Sequence, residues 1–301
     1  MTEVTMKGLK ITGGYADLGG GIYNANSGIT NLEDCWVINN EAKESGGGIY
    51  HHKGTLNLQN GVVAKNTAVE GGGVYNNTGT LNIKGLSVNG EEKTIEFTKN
   101  TAENGGGVFN YRGTVTLTGN SSVSGNKAEN GGGIYNDQGM VTLTGNSSFS
   151  GNTAVDGGAF YNKGTATATF TASNFQKNSA GNNGGAIYNE AKLDMVNTTV
   201  SENTAVNGGA FYNTGSEATA TFTASNFQKN SAGNNGGAIY NEAKLDMVNT
   251  TVSENTAVNG GAFYNTGSEA TATFTASNFQ KNSAGNNGGA IYNEAKLDMV
   301  N

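Results

Sequence analysis

Three Lys-Leu-Asp-Met segments set a carboxylate two residues after an ammonium, at Lys192/Asp194, Lys244/Asp246 and Lys296/Asp298. Carboxylates could cleave glycosides, but that chemistry needs two of them facing each other across a groove at a defined separation. A lyase would need a base beside acids or bound calcium. The three aspartates are copies spaced 52 residues apart. On the coil reading developed below they stand two coils, about 10 Å, from one another, each with its own lysine. That spacing favours a solvated, charge-balanced face. Glu91 and Glu92 are adjacent acids in an inserted segment and read as solubilising. His51-His52 could begin a metal site, but zinc asks for further ligands and none is apparent, so the two read as a surface pair. No Gly-Gly-x-Gly-x-Asp calcium repeat occurs. The Gly-Gly-Gly stretches precede strand-forming residues and have no Lys-Ser/Thr behind them, so they are not phosphate loops. No catalytic residue, metal or cofactor is assigned, and the chain reads as non-enzymatic.

Aromatic rings are the better candidates. Eleven times the chain writes two glycines, a Gly or Ala, an aliphatic residue or Phe, an aromatic and a closing Asn, which only His51 replaces. The aromatic column is Tyr23, Tyr50, Tyr75, Phe109, Tyr135, Tyr161, Tyr188, Tyr212, Tyr240, Tyr264 and Tyr292. Strand side chains alternate, so rings flanked by inward residues point out. Tyr135, Tyr161, Tyr188, Tyr212, Tyr240 and Tyr264 are therefore the candidate ligand-binding residues, an exposed ladder able to stack on sugar rings or to act as an adhesive strip. The competing reading is that the rings stack on one another and cover the sheet. Changing Tyr161, Tyr188 and Tyr212 to Ser is expected to abolish binding and keep the fold.

The period dictates what positions these residues. A unit of 24 to 34 residues repeated to the end of the chain means a solenoid, one quasi-linear body whose coils contact only their neighbours. In Gly113 to Asn136, Thr114-Val115-Thr116-Leu117-Thr118 alternates as a half-buried strand. Gly119 to Ser122 turns, and Val123 to Asn126 forms a second strand. Lys127 to Gly132 turns again, and Gly133-Ile134-Tyr135-Asn136 supplies the third. This spells an all-β, right-handed parallel β-helix of about eleven coils of three short strands, one domain over residues 1–301. Its length is about 50 Å at ~4.8 Å per coil. Two columns face inward, one typified by Ile134 and Ile187, the other by Val123, Phe149 and Phe175. The asparagines at 66, 100, 126, 152, 178, 203, 230, 255 and 282, and those closing the glycine motif, are expected to hydrogen-bond along the axis as ladders.

Three irregularities stand out. The 34-residue interval carries an excess at Leu86 to Lys93, expected to be a loop on one side. Ala166–Glu217 and Ala218–Glu269 are identical, and Ala270–Asn301 repeats the first 32 residues of the block. Such copying suits a spacer or a multivalent surface. Met1 to Thr5 lacks the regions of a signal peptide and reads as the middle of a coil, and Asn301 stops in mid-strand. Both ends are therefore expected to be cut from something longer, and exposed strand edges could pair end to end.

Composition narrows the partners. The net charge is -7 with a single Arg, Arg112, which argues against nucleic acid and against acidic membrane surfaces. No apolar run is long enough to span a membrane. The lone Cys35 cannot form an internal disulfide. A regular Thr lattice of the ice-binding kind is not present, because Thr114/Thr116/Thr118 and Thr167/Thr169/Thr171 correspond elsewhere to Asn57, Asn82, Lys192 and Asp194.

The paired motif is specific. Phe149-Ser150-Gly151-Asn152 with Gly157-Gly158-Ala159-Phe160, and Phe175-Gln176-Lys177-Asn178 with Gly184-Gly185-Ala186-Ile187, resemble the repeats of polymorphic outer-membrane proteins and related adhesin-like β-helix proteins. The resemblance covers almost the whole chain. It implies an extracellular, cell-surface passenger region that adheres to a host cell, a neighbouring cell or a polysaccharide. The alternatives are a structural rod, with no specific ligand, and a polysaccharide-degrading β-helix, which would release soluble products.

Overall fold

The structure, a computed structural model, describes residues 2–88 and 91–300. Asn89 and Gly90 of the insertion, and the terminal residues Met1 and Asn301, lie outside the described residues. Every regular element is a β-strand, and all the stacked strands pair in parallel with the next coil. About eleven coils form one solenoid.

Alternation decides which side chains enter. The strand Thr114–Gly119 buries Val115 and Leu117 and turns its threonines out. Its register continues without slip, Leu81 over Val115, Val141, Ala168 and Leu193 in succession. A one-residue slip would turn every apolar side chain to solvent, so the pattern itself pins the stack. The second strand, Ser121–Ser124, buries Val123, and the glycine-motif strand, Ile134–Asp137, buries Ile134 and Asn136. In two early coils the first and second strands are one ten-residue strand, Ile29–Ile38 and Thr55–Ala64. Each bends at a left-handed residue, Asp34 (φ 49°) or Asn60 (φ 56°).

The structure adds a fourth ladder in the segment read as a second turn. Lys127 and Asn130 bridge to Thr153 and Asp156, and from Thr153–Asp156 onward the bridges lengthen into a six-stranded sheet with register shifts. Its residues mix polar, small and glycine types without clean alternation, so period two could not reveal it.

The glycine pairs set how closely coils approach. Gly131 has φ 61°, and a Cβ there would lie 2.5 Å from the Ile134 carbonyl oxygen. At Gly132 a Cβ would lie 2.3 Å from the carbonyl oxygen of Gly158 in the next coil. Backbone packs on backbone at these positions, and no side chain fits.

Both asparagine columns form the expected ladders. Asn126 donates its backbone N–H and its Nδ2 to Asn152 Oδ1, each at 3.0 Å, and donates Nδ2 to the Phe97 carbonyl at 2.9 Å. Asn40, which the sequence reading passed over, begins this ladder by donating to Asn66 Oδ1 at 3.0 Å; Val37-Ile38-Asn39-Asn40 carries the same spacing. The second ladder runs from Asn76 to Asn293 with Nδ2-to-Oδ1 distances of 2.7–2.9 Å. Buried amides left unpaired would each cost about 1–3 kcal/mol; here each rung satisfies the next.

Candidate functional site

The aromatic column is one continuous stack. From Tyr23 to Tyr292 successive ring centroids are 4.5–5.2 Å apart with interplanar angles of 1–21°. The in-register motif strands force this, since residues directly paired on one sheet face stand one coil apart. Tyr135, Tyr161, Tyr188, Tyr212, Tyr240 and Tyr264 are thus brought into one line, with Tyr135 and Tyr161 buried and Tyr188, Tyr212, Tyr240 and Tyr264 half-buried. Phe109, Tyr135 and Tyr161 are only 4%, 7% and 8% exposed, whereas Tyr23, at the end of the stack, is 51% exposed. The expectation of exposed ring faces is corrected here. Each ring from Tyr50 to Tyr264 has a ring on either side, leaving edges and hydroxyl groups to meet a ligand.

Acidic residues that the sequence reading did not single out hold those hydroxyls. Tyr212 and Tyr240 donate to the two oxygens of Glu242, each at 3.1 Å, and Thr214 adds a third hydrogen bond at 2.8 Å. Tyr292 and Thr266 donate to Glu294 at 2.8 and 3.0 Å. Burial raises the pKa of Tyr161, Tyr188, Tyr212 and Tyr240, and the Glu190 or Glu242 carboxylate beside each raises it further. These phenols therefore stay protonated donors across the physiological range. A signal was available in the sequence: the motif of alternate coils runs Tyr-Asn-Glu.

His51 is also corrected. It is fully buried, not a surface residue, because alternation points position 51 inward like Asn24 and Asn76. Asn24 Nδ2 lies 3.0 Å from His51 Nδ1, and His51 Nε2 lies 3.3 Å from the Gly54 carbonyl oxygen. The imidazole thus interrupts the amide ladder, and Asn76 Oδ1 is buried with no partner. Burial lowers the pKa of His51. His52 does remain at the surface side, half-buried, stacked on Tyr50 at 6.4 Å and within 3.1 Å of Asn77 Nδ2. Among the described residues no cluster of three or more His, Cys, Asp or Glu could hold a metal.

The outward face of the first strand carries the charged pairs. Lys192–Asp194, Lys244–Asp246 and Lys296–Asp298 are ion pairs of 3.5, 3.8 and 3.4 Å. They alternate in register with threonines: Thr167, Lys192, Thr219, Lys244, Thr271 and Lys296 form one column, and Thr169, Asp194, Thr221, Asp246, Thr273 and Asp298 form the next. The insertion is tied to the body at its base. Ser87–Val88 pairs antiparallel with Glu91–Glu92, Leu86 N–H donates to Asn60 Oδ1 at 2.8 Å, and Asn120 Nδ2 donates to Glu92 Oε2 at 2.6 Å.

Among the described residues no helix is long and apolar enough to cross a membrane. Neither a curated protein nor a solved structure matches the chain. The family model of the Chlamydia polymorphic membrane protein repeat matches residues 142–163, 172–190, 224–242 and 276–294, about a quarter of the chain. Each matched segment holds one Phe-x-x-Asn corner and the glycine motif that follows it. In these four segments the rungs of the solenoid are similar to the repeats of the polymorphic membrane protein family.

Proposed function

We propose that the chain is an adhesin-like passenger segment displayed at the cell surface. It is non-catalytic and holds a host cell, a neighbouring cell or its polysaccharide by many weak contacts along the solenoid side. The repeat match supports surface display. The observation that carries the adhesive reading is the outward lattice of the last coils, in which the Thr and Lys/Asp columns return every 52 residues in unbroken register. Copies of one weak site on a stiff frame multiply affinity through effective concentration, by 10² or more in total as an order of magnitude. The non-catalytic part rests on the same face: each aspartate there is neutralised by its own lysine, and the copies lie side by side along the axis. The test is binding of labelled protein to cell monolayers as one and then two 52-residue blocks are removed. Apparent affinity should drop roughly tenfold or more with each block. Equal binding at every length would overturn the multivalent lattice and put adhesion elsewhere on the solenoid; no binding at full length would leave only a structural rod.

A further inference from the structure

The chain's single tryptophan lies on the outer face at the other end of the molecule. Trp36 sits in Ile29–Ile38 between Cys35 and Val37, which are buried, and is itself 43% exposed. Its in-register neighbours are Lys10 on one side and Val62, then Glu96, on the other. The corner residue Asp34 stands beside it, and Asn60 occupies the same corner one coil on. The inserted segment then returns to the body at Lys93. Its ammonium reaches back to Asp34 Oδ1 at 3.4 Å, a contact between residues 59 apart in sequence. Asn60 Nδ2 also approaches Asp34 Oδ1, at 3.5 Å. The result is an open groove of about 550 Å³. Its floor is Gly61, where φ is +87° and a Cβ would lie 2.2 Å from the Cys35 carbonyl oxygen. No side chain can fill it.

The same corner recurs in later coils without this chemistry. Around Asn146, Ser148, Asn174 and Asn197 it forms a groove of about 520 Å³ with no ring and no charge. At this corner, among the described residues, the coils beside the insertion combine an indole with carboxylate, amide and ammonium groups at its rim. An apolar surface with a few convergent polar groups is how small-molecule sites are built, and an indole face with hydrogen-bonding groups beside it fits a sugar ring. Two carboxylates against one ammonium make the rim net negative, which disfavours uronates and other acidic sugars.

We infer that this groove binds a neutral pyranose. Its C–H face lies on Trp36, and its hydroxyl groups donate to Asp34 and Glu96 and accept from Lys93 and Asn60. The site needs nothing from the Thr and Lys/Asp lattice, so adhesion by that lattice and sugar binding here stand or fall separately. Because the chain has one Trp among 12 Tyr, fluorescence excited selectively at indole reports on Trp36 alone. The full chain is titrated with neutral hexose and N-acetylhexosamine oligosaccharides, and in parallel with uronic-acid oligomers. A saturable change with the neutral sugars alone is expected, with a Kd near the millimolar range for the shortest. By calorimetry, Trp36→Ala should abolish binding, and Lys93→Ala and Glu96→Gln should each weaken it roughly tenfold. Melting temperatures should move little, since Glu96 is exposed and Trp36 and Lys93 are each about half exposed. Tighter binding to immobilised branched glycans than to free sugars would identify a surface glycan as the source; equal affinity would identify a free saccharide. No saturable change up to about 10 mM, where even a millimolar site fills, overturns the assignment. So does equal response to uronates, or binding retained by Trp36→Ala.

Discussion

The first five coils and the last six solve the same packing problem in opposite ways. In the first five, the third residue of the motif is Gly, from Gly21 to Gly133, and the two first-strand core columns repeat one size class: Leu56, Leu81, Val115 and Val141 stack in one, Leu58, Ile83, Leu117 and Leu143 in the other, while the second-strand column already alternates as Val63, Phe97, Val123 and Phe149. In the last six the third residue is Ala, fully buried from Ala159 to Ala262, and large residues alternate with small. Ala168, Phe170, Phe175 and Ile187 of one coil lie against Leu193, Met195, Val200 and Phe211 of the next. Phe211 then meets Phe222 edge-on at 4.9 Å, and Phe222 tilts onto Phe227 at 4.9 Å. In the first half only the second-strand column has a two-coil period; in the last coils all the columns share it, so the unit there is two coils, which gives the 52-residue length of the identical block a physical basis.

Coil deletion should break this comparison most visibly. Removing residues 192–218 sets Phe170 on Phe222 and Ala168 on Ala220, overpacking one column and hollowing another. A loss of about 3–5 kcal/mol is expected. Removing 192–243 restores every native neighbour and should add no junction penalty. Removing 114–139 from the first half keeps both first-strand columns matched but sets Phe97 on Phe149, so an intermediate loss of about 1–3 kcal/mol is expected. Denaturant midpoints of the three deletions decide the matter, and equal losses would mean that core alternation has no bearing on the repeat length.

The amide ladder is common to both halves, so its loss should be large anywhere. Asn203 receives Asn178 N–H and Nδ2 and donates to Asn230 and to the Phe175 carbonyl. Asn203→Ala strands several buried groups and should cost about 3 kcal/mol, read from thermal or denaturant unfolding. His51→Asn goes the other way. It gives Asn76 Oδ1 a donor and joins the broken ladder, a gain of about 1–2 kcal/mol. The substitution also removes an acid dependence. Burial lowers the folded pKa of His51, so the unfolded chain takes up a proton first. The stability of the native sequence is full above the unfolded value of about 6.5 and falls as pH drops below it, by up to ~1.4 kcal/mol per unit. Melting curves between pH 7 and 5 should show that slope in the parent and a shallower one in His51→Asn.

The smallest effect belongs to the aromatic stripe. Tyr212→Phe keeps the stacked ring and removes one hydrogen bond to Glu242, which retains Tyr240 and Thr214. A loss of about 0.5–1 kcal/mol is expected. Serine at Tyr161, Tyr188 and Tyr212 should destabilise as well as alter the surface, because it removes three consecutive stacked rings. The hydroxyl-only change is therefore the cleaner probe of whether the stripe contributes to binding beside the lattice, with cell binding and melting temperature measured on the same protein.

Much of this molecule was legible in one dimension. Alternation at Thr114–Gly119 names its buried face, and the recurrence of that pattern names the stack. Repeated Asn at a fixed offset from an inward Val or Phe predicts a ladder, because a parallel, in-register solenoid carries each residue onto its own equivalent about 4.8 Å away. Local pattern multiplied by translation is enough for the solenoid and its three main ladders, though not for the fourth at Thr153–Asp156. Tertiary structure decided what depends on neighbours that alternation does not encode. Alternation turns a tyrosine outward, but its equivalents in the neighbouring coils cover both faces of its ring. A His pair suggests a surface site, but the motif register carries His51 inside. Trp36 acquired its surroundings only when Lys93, on a segment that departs from the repeat, folded back across two coils to Asp34. Translation fixes which residues stack; exposure and site chemistry come from contacts between different strands of the coil, and those distances are set by the packed section as a whole.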